Sequence, residues 1–215
     1  SQEILQKLVA IVGPEDVITD REKLEDFSHD EFSLREIGRY PEVVVKPGRT
    51  EEVAAVMRLA SAAQIPVTPR GGATGLCGGC VPLYGGIVLA LEKMNRIVEI
   101  DLANQMAVVE PGVMLGEFSR AVEEAGLSFP PHPGDESAMI GGLIATNAGG
   151  SRAVRYGVIR NYVRGLEIVL PGGEITRLGG KLVKSSTGYS LLHLLIGSEG
   201  TLGVITRAII QLLPA

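Results

Sequence analysis

The chain has 215 residues, 45% of them apolar and 21% charged, which is enough for one large folding unit or two small ones with a real core. Its net charge of −5, with the basic residues dispersed, argues against a nucleic-acid partner, and no apolar run approaches the roughly 18 residues that span a bilayer. The first residues lack the form of a signal peptide, so a reducing, cytoplasmic setting is expected, and the 28 glycines are aperiodic and lie among apolar segments, unlike those of collagen or disordered chains.

Ile4, Leu5, Leu8, Val9 and Val12 share one face of a predicted amphipathic helix over residues 1–12, stopped by Gly13-Pro14. A short helix is predicted from Asp20 to Phe27, and the polar segment Ser28 to Arg39 reads as an irregular arm over the surface. Val43 to Val45 reads as a strand. After Pro47-Gly48 a helix follows that Thr50 is placed to cap, with Glu51 and Glu52 at the positive end of its dipole. Val53, Val56, Met57, Ala60 and Ala63 mark its buried face, and Ile65 to Thr68 forms the next strand. Strand, helix, strand is a βαβ unit with a parallel pair, and ligands bind at the carboxyl end of such strands.

That end carries Pro69, Arg70, Gly71, Gly72, Ala73, Thr74, Gly75 and Leu76, continuing to Gly79. So many glycines cannot hold a helix or a strand, but they let backbone N–H groups approach an anion with no Cβ in the way. A diphosphate suits such a loop, whereas the alternative is an ordinary surface loop.

Further strands are predicted over 86–91, 97–100 and 106–109, the last two joined by a turn at 101–104. Pro111-Gly112 is a break, read as the boundary between two subdomains. Leu115, Phe118, Ala121 and Val122 mark a helix that Gly126 can end in a left-handed conformation. Residues 130–137 are stiffened by prolines, and residues 140–150 mix glycine with apolar residues, as a short helix packed against a flat ligand would. A hairpin is predicted over 166–178 with its turn at Pro171-Gly172-Gly173, and a short helix over 191–196. Gly197 to Gly203 is a third glycine-rich turn, and 204–213 a final strand that closes the sheet. No internal repeat is present.

Three texts stand out: Pro69-Arg-Gly-Gly-Ala-Thr-Gly75, Ile140-Gly-Gly-Leu-Ile-Ala-Thr-Asn-Ala-Gly149 and Gly197-Ser-Glu-Gly-Thr-Leu-Gly-Val-Ile-Thr206. With Val44-Val-Lys-Pro47 and the 171–173 turn, their order and spacing resemble the FAD-binding domain of the FAD-linked oxidases, of the vanillyl-alcohol oxidase and p-cresol methylhydroxylase type. The resemblance is greatest to the branch of D-lactate dehydrogenase and the glycolate oxidase FAD subunit, and it runs from about Pro41 to the end. It implies an α+β fold in two subdomains, one small with parallel strands and one mainly antiparallel with helices. The division expected is N-terminal helices and arm over 1–39, a first subdomain over 40–110 and a second over 111–215, with FAD in the cleft between the last two.

By the same resemblance, residues 69–75 offer backbone amides to the diphosphate, and Leu76 belongs to the cofactor site. Pro133, Gly134, Asp135, Ser137 and Met139 run along the flavin and ribityl side. Gly141, Gly142, Thr146, Asn147 and Gly149 contact the region of the diphosphate and ring, and Glu199, Gly200, Gly203, Val204 and Ile205 hold the adenine end. The Gly-x-Gly-x-x-Gly spacing of a dinucleotide Rossmann site is missing. The first loop has no histidine of the kind that tethers FAD in some relatives, so FAD is expected to be non-covalent. The family continues into a domain that covers the flavin and supplies catalytic residues. None is assigned here, and FAD binding without efficient turnover is expected of this chain alone.

Cys77-Gly-Gly-Cys80 has the spacing of a redox dithiol or half a zinc site, but structural zinc needs four ligands. The pair reads instead as two small, partly buried thiols, with a disulfide as the alternative, and no metal is expected. His132 is a proton carrier or a rigid positioning residue, while His29 and His193 read as surface or packing residues. Arg70 balances diphosphate charge or forms a salt bridge, and Lys181 and Lys184 read as a solvated face. The resemblance implies a flavin-dependent dehydrogenase or oxidase of 2-hydroxy acids (D-lactate, glycolate or 2-hydroxyglutarate), with hydride passing to flavin N5. The alternatives are a stand-alone FAD subunit that passes electrons within a larger complex, and a plain nucleotide-binding module.

Overall fold

The amphipathic spacing at the N-terminus produces helix α1 (Gln2–Val12) in a computed structural model of the chain, which describes residues 1–32 and 36–215. A two-residue strand with no sequence signal, β1 (Val17–Ile18), precedes α2 (Arg21–Leu24), where the Asp20 side chain accepts the Glu22 N–H at 3.0 Å. A 3-10 turn over Glu25–Phe27 completes the predicted short helix. Of the arm predicted over 28–39, residues 33–35 lie outside the described residues.

Strands β2 (Val43–Val45), β3 (Val67–Arg70) and β4 (Ile87–Ala90) follow, with helix α3 (Thr50–Ala62) between the first two. They form a four-stranded sheet in the order β1-β2-β4-β3, with β1 antiparallel and the others parallel. The expected pairing of β2 with β3 is corrected. The two are parallel, but β4 lies between them, because its four consecutive buried apolar residues suit a strand covered on both faces. Alternation along the strands sends Val43, Val45, Ile87 and Leu89 into a core with α1 and α3, and Val44, Val88 and Ala90 to the opposite face with Leu24 and Phe27.

Thr50 does not cap α3. The N-cap is Arg49, the Glu52 carboxylate accepts the Gly48 N–H at 2.9 Å, and buried Thr50 sends its hydroxyl to the other half of the molecule.

That half contains β5 (Ile97–Asp101), β6 (Met106–Val109), α4 (Leu115–Glu124), β7 (Leu127–Ser128), α5 (Ile140–Ala145), α6 (Ala153–Tyr156), β8 (Val163–Val169), β9 (Ile175–Gly179), α7 (Leu191–Leu195), β10 (Val204–Gln211) and β11 (Leu213–Pro214). Its five-stranded antiparallel sheet runs β5-β6-β10-β8-β9, and β11 pairs with β7 in a separate ribbon. Strand β10 therefore fills the centre of the sheet, where a final closing strand was expected. It qualifies because Val204, Ile205, Thr206, Ala208 and Ile210 are all buried. Sheet membership changes between Ala90 and Ile97, ahead of Pro111-Gly112, where the subdomain boundary is expected. The core of this half centres on Phe118, Phe129 and Tyr162, packed edge to face at 5.1 and 5.8 Å.

Candidate functional site

Strand β3 ends at Arg70, and the chain then leaves the sheet through the glycine-rich stretch. Among the described residues, no backbone N–H from Gly71 to Cys77 donates to a backbone or side-chain acceptor, and the next, Gly78, donates to the Asp30 carboxylate at 2.7 Å. Backbone donors are rarely left unpaired where water is limited, so this row beside a cleft is suited to an anion. Ala73 holds a left-handed φ of 58°, and its carbonyl accepts the Glu31 N–H at 2.9 Å. Non-glycine residues adopt that conformation at a cost that concentrates at ligand sites.

The three glycine-rich segments meet. A Cβ on Gly71 would lie 3.6 Å from the Met139 Cβ and 3.9 Å from the Gly142 Cα, and one on Gly72 would lie 3.1 Å from the Ser137 carbonyl oxygen. Gly141 packs so closely on Pro111 that an added Cβ would sit 2.5 Å from the proline ring, and its N–H donates to the Pro111 carbonyl at 2.8 Å. The third segment is tied to α5 by bonds from the Gly197 and Glu199 N–H groups to the Ile144 and Ala145 carbonyls, at 3.1 and 2.8 Å. Its Gly200 lies against the Pro69 ring. Together they enclose a cleft of about 410 Å³ between the two sheets, with Leu143, Ile168, Leu195, Val204 and Ile205 as apolar wall.

Most of the expected site residues line this cleft: all of 69–76, then Pro133, Asp135, Met139, Gly141, Gly142 and Thr146, and the whole third set of Glu199, Gly200, Gly203, Val204 and Ile205. Gly134, Ser137, Asn147 and Gly149 stand outside it. Gly134 turns the chain with φ 105°, and Ser137 bonds the Asp135 carboxylate through its N–H and hydroxyl at 2.8 and 2.7 Å. The Asn147 side chain accepts the Arg160 N–H at 3.2 Å, and Gly149 packs on Val158 and Ala153. Sequence reasoning passed over Asp30, Leu91, Pro111, Ile168 and Leu195, which also line the cleft. Ile168 and Leu195 carried only the apolar signal of a core, and Asp30 lay in a segment without a motif.

Arg70 lines the cleft, and its guanidinium is also held from within the protein. It is buried, and its guanidinium donates to the Asp26 and His29 carbonyls at 2.7 Å each, with Phe27 beneath it at 5.4 Å. Its fork therefore straps the 26–30 segment to the cofactor loop. Burial pulls its pKa down, opposed by Cys80, Asp30, Glu92 and Asp26. Cys80 lies 3.4 Å from the same guanidinium, and Cys77, expected to be partly buried, is exposed. His132 stays out of the cleft. Its ring nitrogen is 3.8 Å from Glu136, too far for a hydrogen bond, and its backbone pairs with Gly150. Lys181, expected on a solvated face, is ion-paired with Glu99 and Asp101 at 2.7 and 2.6 Å, which holds the Asp101 carboxyl far below the usual range.

A row of unpaired backbone amides beside an apolar slot, set between a parallel and an antiparallel sheet, suits a nucleotide cofactor. The chain belongs to the FAD binding domain family, whose model matches residues 41–179, and its cofactor is FAD. It is 48% identical over 213 residues to a D-lactate dehydrogenase from Anaerostipes hadrus, covering 99% of this chain and 44% of the relative. A D-lactate dehydrogenase from Archaeoglobus fulgidus is 57% identical over 80% of this chain and 39% of its own length. The glycolate oxidase subunit GlcD of Bacillus subtilis is 42% identical over 100% and 45%. Among solved structures, the 4-ethylphenol oxidase of Gulosibacter chungangensis superposes with a TM-score of 0.82 at 28% identity, covering 100% of this chain and 43% of that one. The chain thus spans less than half the length of these relatives.

Proposed function

We propose that this chain is the FAD-holding part of a flavin-dependent dehydrogenase or oxidase of 2-hydroxy acids, of the D-lactate or glycolate type. The observation that carries the reading is the convergence of residues 69–76, 139–146 and 199–205 on one cleft. The names of the relatives support the substrate class. Bound FAD supplies an acceptor for the hydride leaving the carbon that bears the hydroxyl. The chain's own residues bind and orient it. Amides of the Gly71–Cys77 row take the diphosphate oxygens, Leu143, Ile168 and Leu195 exclude water from the slot, and the 199–205 segment holds the adenine end. No histidine stands in the first loop, consistent with a non-covalent cofactor.

Titrating the purified protein with FAD tests the cofactor step. A yellow complex that releases intact FAD on heat denaturation is expected. Mixing the full-length holoprotein anaerobically with D-lactate, glycolate and 2-hydroxyglutarate then tests the substrate class. Bleaching of the flavin by at least one acid is expected, and bleaching by none overturns the reading.

A second reading is an FAD subunit passing electrons within a larger complex, which predicts a contiguous exposed apolar patch at the partner's seat. It requires a stable partner. A monomeric, partner-free holoprotein from the native source overturns it.

A further inference from the structure

We propose that Cys77 and Cys80 are a thiol pair which a small-molecule disulfide oxidises to an intramolecular disulfide, and that this bond weakens the FAD site. The inference rests on the reading of the cleft given above.

Both thiols line the cleft, one exposed and the other half-buried. The two residues between them are glycines, Gly78 with a left-handed φ of 76°. The Gly78 carbonyl accepts the Val81 N–H at 3.0 Å, so a turn already folds this stretch back on itself. Chain that can turn without side-chain obstruction lets two sulfurs reach bonding geometry by rotation within the turn itself.

The surroundings connect the pair to the cofactor loop. Arg70 Nη1 is 3.4 Å from the Cys80 sulfur, and the same guanidinium holds the Asp26 and His29 carbonyls. The Asp30 carboxylate takes the Gly78 N–H at 2.7 Å. On the open side, a Cβ added to Gly79 would lie 2.8 Å from the Glu199 carboxylate, so the turn also touches the third glycine-rich segment. A displacement of Cys80 is therefore felt by the strap through Arg70 and by the amide row that ends at Cys77.

The chemistry is thiol–disulfide exchange in two steps. The exposed Cys77, as thiolate, attacks one sulfur of the small disulfide, forming a mixed disulfide and releasing one small thiol. The Cys80 thiolate then attacks the Cys77 sulfur and releases the second. Two cysteine thiols together lose two electrons and two protons, and the small disulfide is reduced to two thiols. Burial pushes the Cys80 thiol up, while Arg70 pulls it back, so the second step is expected to quicken with rising pH.

The test incubates the protein with oxidised or reduced glutathione, digests part under non-reducing conditions, and titrates the rest with FAD. The expected result is a peptide spanning 77–80 lighter by two hydrogens. FAD affinity should be weaker by about tenfold, the size of one lost amide–phosphate hydrogen bond, and restored by dithiothreitol. Cys80→Ser should stop at the mixed disulfide on Cys77, a peptide heavier by one glutathione in place of the loss of two hydrogens. Thiols that remain free, or a disulfide that leaves FAD affinity unchanged, overturn the proposal. A reduced protein that binds no FAD overturns the reading of the cleft and the proposal with it, and the peptide mass still reports on the thiols separately.

Discussion

The Thr50 hydroxyl, at the start of α3, donates a 2.9 Å hydrogen bond to Glu167 Oε1 in β8, 117 positions further along the chain. Arg177 and the Thr206 hydroxyl bond the same buried carboxylate at 2.8 and 3.2 Å. One side chain thus joins the helix of the first half to three strands of the second, directly behind the cleft wall at Ile168. Glu167→Ala leaves the Thr50 hydroxyl and Arg177 without their acceptor, while Thr206 keeps the Glu167 carbonyl at 3.3 Å, and is expected to destabilise the protein by about 2–4 kcal/mol, against about 1 kcal/mol for Thr50→Val. Urea unfolding checks both values, and equal effects would show that the carboxylate is not the shared acceptor.

Acid should uncouple the same junction. Burial pushes the Glu167 carboxyl up, but the hydrogen bonds from Arg177, Thr50 and Thr206, with the charge of Arg207, outweigh it and hold the group below its ordinary 4.5. A folded value below the unfolded one means stability that is present above pH 4.5 and lost as pH falls through the folded value. Denaturation midpoints measured downward from neutral pH should therefore fall more steeply in the wild type than in Glu167→Gln. Parallel curves would contradict this.

Two glycines of the cleft should separate folding from binding. Space around Gly71 admits a methyl group at ordinary contact distances, so Gly71→Ala is expected to fold normally while weakening FAD binding by about tenfold through its amide row. Gly141 has no such space against Pro111, and Gly141→Ala is expected to lose about 1–3 kcal/mol of stability. Thermal melts of the apoproteins alongside FAD titrations distinguish the two.

Arg70→Lys removes the fork that reaches the Asp26 and His29 carbonyls together. Faster amide exchange over residues 26–31 is expected, with a smaller loss of FAD affinity. Unchanged exchange there would mean that the strap is held by other contacts.

The parts of this architecture that were legible in the sequence are those with a local cause. The apolar run Ile87–Ala90, the spacing of Val53, Val56 and Met57, and the glycine texts each announce their conformation within a few residues. What stayed hidden depends on partners far away. Thr50 carries the chemistry of a cap, and only the approach of β8 turns its hydroxyl elsewhere. The bonds from Arg70 to the Asp26 and His29 carbonyls could not be read because the segment that accepts them has no pattern. Ile168 and Leu195 have the side chains of a core, and whether such a residue faces protein or ligand depends on which sheet comes opposite.

The central place of β10 in its sheet also bears on how the protein is made. Of the five strands, the one in the middle is the last to leave the ribosome, and it brings Val204 and Ile205 to the cleft. Until then β6 and β8 have no common neighbour, their facing edges are unpaired, and one wall of the cleft does not exist. Slow synthesis through the 180s and 190s would therefore lengthen the interval in which two open edges are exposed to aggregation.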